Sequence, residues 1–122
     1  MKEKRYNLIL GDGFPQIKLH SDDLEFYHKH VKGIIEIVNI FQDYVLVIDD
    51  NGKLKDLPIN IDASLLYGAP GMEDFIVGPA IVDKRSGPDL IGLTPDECVM
   101  FVDYLNGFQT QKELLRQLTE EE

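Results

Sequence analysis

The chain has 122 residues, the size of one ordinary domain, and 43% of them are hydrophobic, which suits a packed core rather than a disordered chain. Its 22 acidic and 12 basic residues leave a net charge of −10, which as a whole repels nucleic acid and anionic membranes and suits a basic partner surface. A single cysteine, Cys98, cannot form an internal disulfide, and no apolar run approaches the roughly 20 residues of a membrane span.

The start of the chain, Met1-Lys2-Glu3-Lys4-Arg5, is basic, but the apolar stretch behind it stops at Gly11. No signal peptide is therefore expected, and the implied location is the cytoplasm. Residues 6 to 10 read as a strand, ended by the breakers Gly11, Gly13 and Pro15, with residues 16 to 20 as a hairpin partner. Ser21 reads as a helix N-cap, with Asp22, Asp23 and Glu25 complementing the helix dipole. Leu24, Tyr27, His28 and Val31 then share one helical face, and Gly33 is expected to end the helix in the left-handed region. Residues 34 to 41 and 44 to 49, rich in Ile, Val, Phe and Tyr, predict two strands joined by a tight turn at Gln42-Asp43. Asn51-Gly52 predicts a second hairpin into a strand over 53 to 57.

Residues 59 to 73 read as irregular, because Gly68, Pro70 and Gly71 interrupt them. Residues 75 to 84 predict a largely buried strand, with Gly78-Pro79 requiring a bulge or an edge position, and 85 to 88 a loop. Thr94-Pro95-Asp96-Glu97 is a capping box with proline at the first helical position, followed by the apolar stripe Cys98, Phe101, Val102 and Leu105 and by Gly107 as terminator. Thr110-Gln111-Lys112-Glu113 is a second capping box before Leu114, Leu115 and Leu118. Residues 1–118 are thus expected to form one α+β domain, with 119–122 a frayed acidic tail. The sheet should be mainly antiparallel and hairpin-connected, with one early helix and two C-terminal helices packed on one face.

Four segments in order carry a resemblance. They are Val31-Lys32-Gly33-Ile34-Ile35-Glu36-Ile37-Val38, Gly52-Lys53-Leu54-Lys55-Asp56-Leu57-Pro58-Ile59-Asn60, Asp74-Phe75-Ile76-Val77-Gly78-Pro79-Ala80-Ile81-Val82 and Ile91-Gly92-Leu93-Thr94. Through these the chain resembles the bacterial and phage family known as domain of unknown function 3846. The resemblance brings no activity. It implies accessory genes of phages and mobile elements, mainly in Gram-positive bacteria, and hence action in the host cytoplasm on host processes such as a defence system.

The residues offer no familiar chemistry. His28 and His30 point about 200° apart on a helix and cannot share a metal ion, so neither they nor His20 suggest a centre, and no cofactor is expected. Aligning Gly52 with the invariant glycine of a calcium loop puts Val47 and Pro58 where acids are needed. Cys98 lies on an apolar stripe and reads as an inert thiol. Ser64 and Ser86 lack the flanking glycines of a nucleophile elbow, and Gln16 replaces the third glycine of a dinucleotide fingerprint.

Two binding modes stay open. The first is a non-enzymatic protein, such as an inhibitor of a host protein, whose acidic surface meets a basic partner through Asp49, Asp50, Asp56, Asp62 and Asp103. The second is a sponge for a small anionic nucleotide, with Lys84, Arg85 and Ser86 gripping phosphate, a mode that a cationic pocket between subunits of a homo-oligomer would favour. An enzyme with an unfamiliar site is the third reading. Direct nucleic-acid and membrane binding are not expected.

Overall fold

The computed structural model describes residues 4–11, 13–68, 75–109, 113–114 and 117–118. Its centre is two neighbouring strands from the most apolar runs of the sequence. β4 (Tyr44–Asp49) is buried along its whole length, and β5 (Ala80–Ser86) over its first four residues. β1 (Tyr6–Leu10), β2 (Gln16–Leu19) and β3 (Ile35–Phe41) extend them into an antiparallel sheet in the order β2-β1-β5-β4-β3. The short β6 (Asp89–Leu90) pairs with the end of β5.

Strand residues alternate between faces. Leu8, Leu10, Leu46, Ile48 and Val82 meet Ala63 and Leu66 of α2 (Ile61–Tyr67) and Cys98, Phe101 and Leu105 of α3 (Pro95–Asn106). Val47 and Ile81, one residue out of phase, meet Tyr27 and Val31 of α1 (Leu24–Val31) on the opposite face. The α+β class and the antiparallel sheet are as expected, but the helices do not share one face. Strands apolar on both sides leave a second face to cover, and α1 covers it.

Several local expectations are corrected. Gln42-Asp43 does join β3 to β4, with Gln42 at φ 49°. The Asn51-Gly52 hairpin and the strand over 53 to 57 are absent. Residues 50–56 instead form successive turns, with Gly52 N–H donating to Asp49, Lys55 N–H to Asn51 and Leu57 N–H to Gly52. Gly52 has no positive φ, because its carbonyl and amide serve this compact coil rather than a two-residue turn. Residues 61–67, read as irregular, are α2. Its cap is Asn60, whose Oδ1 accepts from Ala63 N–H, while its Nδ2 donates to the carbonyls of Leu10 at 2.9 Å and Gly78 at 2.8 Å.

The strand expected over 75–84 begins only at Ala80. Gly78, at φ 76°, turns the chain, so that Val77 bridges Ile59 instead of joining the ladder. The expected loop at 85–88 is a hairpin in which Arg85 pairs with Leu90 and Ser86 with Asp89. At α1 the cap is Asp23, not Ser21, whose hydroxyl accepts from Asp23 N–H. Lys32, not Gly33, takes the left-handed φ of 64°. The capping box of α3 forms as expected, with Thr94 and Glu97 bonded reciprocally. The second capping box at Thr110 and the tail at 119–122 lie outside the described residues.

Candidate functional site: an acidic cleft beside an open sheet edge

β3 lies at one edge of the sheet, and the coil of residues 50–56 follows β4 beside it. Asp49, at the end of β4, anchors that coil. Its buried carboxylate accepts from Asn51 N–H at 2.9 Å and from Lys55 Nζ at 2.6 Å. The Lys55 hydrogen bond, outweighing burial and aided by the Asn51 amide, holds Asp49 below the usual carboxylate range. Gly33 leaves the room for this, since a Cβ there would stand 2.5 Å from Asp49 Oδ2.

Between β3, the coil and the segment leading to β5 lies a cleft of about 320 Å³, lined among others by Glu36, Val38, Asp50, Lys53, Leu54 and Phe75. Glu36 and Asp50 are exposed at it, and so are the apolar Leu54, 87% accessible, and Phe75. Acid over exposed apolar surface suits an occupant that is itself both basic and apolar.

The cleft collects only part of the acidic set expected from sequence. Asp49 is its buried anchor, Asp50 lines it, and Asp56, exposed at φ 57°, closes the coil. Asp62 is buried in the first turn of α2. Asp103 is exposed on α3 and does not line the cleft. Glu36 and Leu54 were not singled out by sequence reasoning. Their signals are a lone charge in the apolar run 34–41 and a lone apolar residue between two lysines.

The expected anion site has a different geometry. Consecutive residues of a strand face opposite ways, so Lys84 and Arg85 do not converge. Lys84 Nζ lies 2.9 Å from Glu97 Oε2 and 5.4 Å from the centre of the Tyr44 ring. Glu97 also accepts from the Tyr44 hydroxyl and from Thr94 N–H, with Arg5 at 3.7 Å. Burial alone would raise the Glu97 carboxyl, but the Thr94 amide, Tyr44 and Lys84 prevail and hold it at about 2. Burial first, and then the bond to Glu97, pushes the Tyr44 hydroxyl up to about 12. Arg85 and Ser86 are exposed on the hairpin.

The remaining unusual groups serve packing. Tyr27 donates to the buried Asp83 at 2.6 Å, and Asp83 also accepts from the amides of Lys84 and Gly92, pinning the β5–β6 hairpin. Burial and then Asp83 raise the Tyr27 hydroxyl far above its ordinary value. His20 bridges Asn7 at 2.8 Å and Asp22 at 3.0 Å. Burial raises the Cys98 thiol, which disfavours a thiolate nucleophile. Among the described residues no group of three or more His, Cys, Asp or Glu side chains is placed to hold a metal ion. No helix among them is long and apolar enough to cross a membrane.

Comparison with family models matches residues 7–108 to the family described as Domain of unknown function (DUF3846). The chain belongs to that family. The match runs from the second residue of β1 through α3 and takes in Glu36, Asp50 and Leu54 of the cleft, and Glu97 with its partners Tyr44 and Lys84. No curated protein and no solved structure matches the chain.

Proposed function

We propose that this DUF3846 member is a non-enzymatic binding module that engages a basic protein surface through the cleft between β3 and the 50–56 coil. The observation that carries the reading is the exposure of Glu36 and Asp50 beside Leu54 and Phe75 on one cleft. The strongly perturbed titratable groups support it from the other side. Tyr44 and Tyr27 owe their shifts first to burial and then to their bonds to Glu97 and Asp83, Glu97 owes its own to Thr94, Tyr44 and Lys84 prevailing over burial, and none of them lines this cleft. The setting that suits such a module is that of a phage or mobile-element accessory protein acting on a host protein, with inhibition following from occlusion of the partner's basic surface. The commitment of Lys84 to Glu97 leaves no observation that favours nucleotide capture.

The test is charge reversal at the two exposed acids. Wild type should capture a basic protein from a lysate of the bacterial host, and salt should release it. Glu36→Lys with Asp50→Lys should lose that protein while keeping the fold. Capture of the same protein by the double variant would refute the reading.

A further inference from the structure

The edge of the sheet at β3 is open in a defined register. Asp50 N–H donates to Ile34 O at 2.8 Å, and the β3–β4 pairing places Ile35 opposite Asp49. Ile34 and Asp50 are therefore a hydrogen-bonded pair. In an antiparallel ladder such pairs alternate, so Glu36 and Val38 direct their amides and carbonyls to β4. Ile35, Ile37 and Asn39 direct theirs away from the sheet. Among the described residues no other backbone group bonds them.

Proteins usually blunt an edge with lysine, proline or a short strand. β3 is seven residues long, has neither lysine nor proline, and carries Glu36 as its one charge. Its only irregularity is a register shift between Asn39 and Phe41, at its far end. Ile34 and Ile37 are 64% and 38% exposed.

Resting on the cleft reading above, we propose that β3 is a strand-addition site for an extended segment alternating basic and apolar residues. The added strand bonds to the outward groups of Ile35, Ile37 and Asn39. Its apolar side chains lie on the α1 face, over Ile35 and Ile37. Its basic side chains lie on the other face, beside Glu36 and the cleft that Asp50 lines, with their methylene stems over Val38. Charge decides between this occupant and a second copy of the chain. Two molecules of charge −10 repel, whereas a basic strand is drawn to the same edge.

The experiment uses the full chain and a short peptide alternating lysine and valine. Titration calorimetry should give a one-to-one complex. Hydrogen exchange in that complex should slow at the amides of Ile35, Ile37 and Asn39, and not at those of Glu36 and Val38, which the ladder already holds. Ile37→Pro removes one outward donor and no ladder bond, so it should weaken the peptide by about tenfold or more, while Ile37→Thr should not. The exchange pattern on wild type keeps the test decisive if the proline variant folds poorly. Peptide binding without the alternating protection would overturn strand addition. So would binding that Glu36→Lys with Asp50→Lys abolishes but Ile37→Pro leaves intact, an outcome that would preserve the cleft reading. A concentration-dependent dimer protecting the same three amides without peptide would replace the basic segment with a second copy and overturn the proposal. No binding at low salt would overturn it as well.

Discussion

At the scale of single residues, two carboxylates, the buried Asp49 and the partly buried Glu97, hold parts of the fold together in different ways. Glu97 gathers Tyr44, Lys84, Arg5 and the start of α3 around one acid group. Its carboxyl is held at about 2 against an ordinary 4.5, so its stabilisation is complete above about 4.5 and is lost as pH falls through about 2. A shift of that size corresponds to roughly 3 kcal/mol at neutral pH. Glu97→Gln should lower the urea midpoint at pH 7 and flatten the acid limb between those two values. A variant as acid-sensitive as wild type in that window would show that other carboxylates govern it. Asp49 depends on Gly33, whose missing Cβ makes room for the carboxylate. Gly33→Ala should cost roughly 1–3 kcal/mol through forced displacement of Asp49. Lys32→Gly, one residue earlier, should stabilise by about 0.5–1 kcal/mol, because the left-handed φ there costs glycine nothing. Paired denaturant curves check both, and equal effects of the two substitutions would contradict the assignment.

At the scale of elements, α2 is the joint between the helical layer and the sheet. Its seven residues are too few to stand alone, so tertiary bonds must hold it. Asn60 supplies them by capping the helix while donating to β1 and to the turn at Gly78. Asn60→Asp keeps the cap acceptor and removes both donors. It should leave the buried carbonyls of Leu10 and Gly78 without these partners and cost at least about 2 kcal/mol. A two-state denaturation curve measures this, and a change near zero would show that the cap alone holds α2. The two sheet edges also differ. β2 is exposed along its four residues, whereas β3 is longer, shields Val38 and Ile40 against the core, and opens beside the acidic cleft.

At the scale of the whole molecule, a charge of −10 on 122 residues sets both association and stability. Self-repulsion disfavours the compact state and is screened as the Debye length falls from about 30 Å at 0.01 M salt to about 8 Å at 0.15 M. Tm should therefore rise with sodium chloride over that range, a gain of about 1 kcal/mol reading as roughly 4 °C. A falling Tm would mean that favourable pairs such as Lys84–Glu97 outweigh the net repulsion. The same salt should weaken capture of a basic partner, so stability and binding should move in opposite directions.

The sequence by itself determined the elements whose signals are local. Short runs rich in β-forming residues marked β1 and β4, and the Thr94–Glu97 box marked the start of α3, because strand propensity and capping chemistry act over a few neighbouring residues. Family membership was legible too, since runs such as Gly52–Asn60 and Asp74–Val82 keep their order along the chain. Only the tertiary structure decided what depends on distant partners. Asn51-Gly52 has the chemistry of a hairpin, but Asp49 and Lys55 draw it into a coil. Residues 61–67 look broken by their flanking prolines and glycines, yet β1 and the Gly78 turn complete the helix cap. The same holds for function. Lys84 reads as a free cation until the fold brings Glu97 to it from 13 positions away. Glu36 and Asp50 are ordinary surface acids until strand order leaves β3 at an edge with the coil beside it. Charge and pattern belong to the chain, but which charges are spent on one another is settled by contacts between segments far apart in sequence.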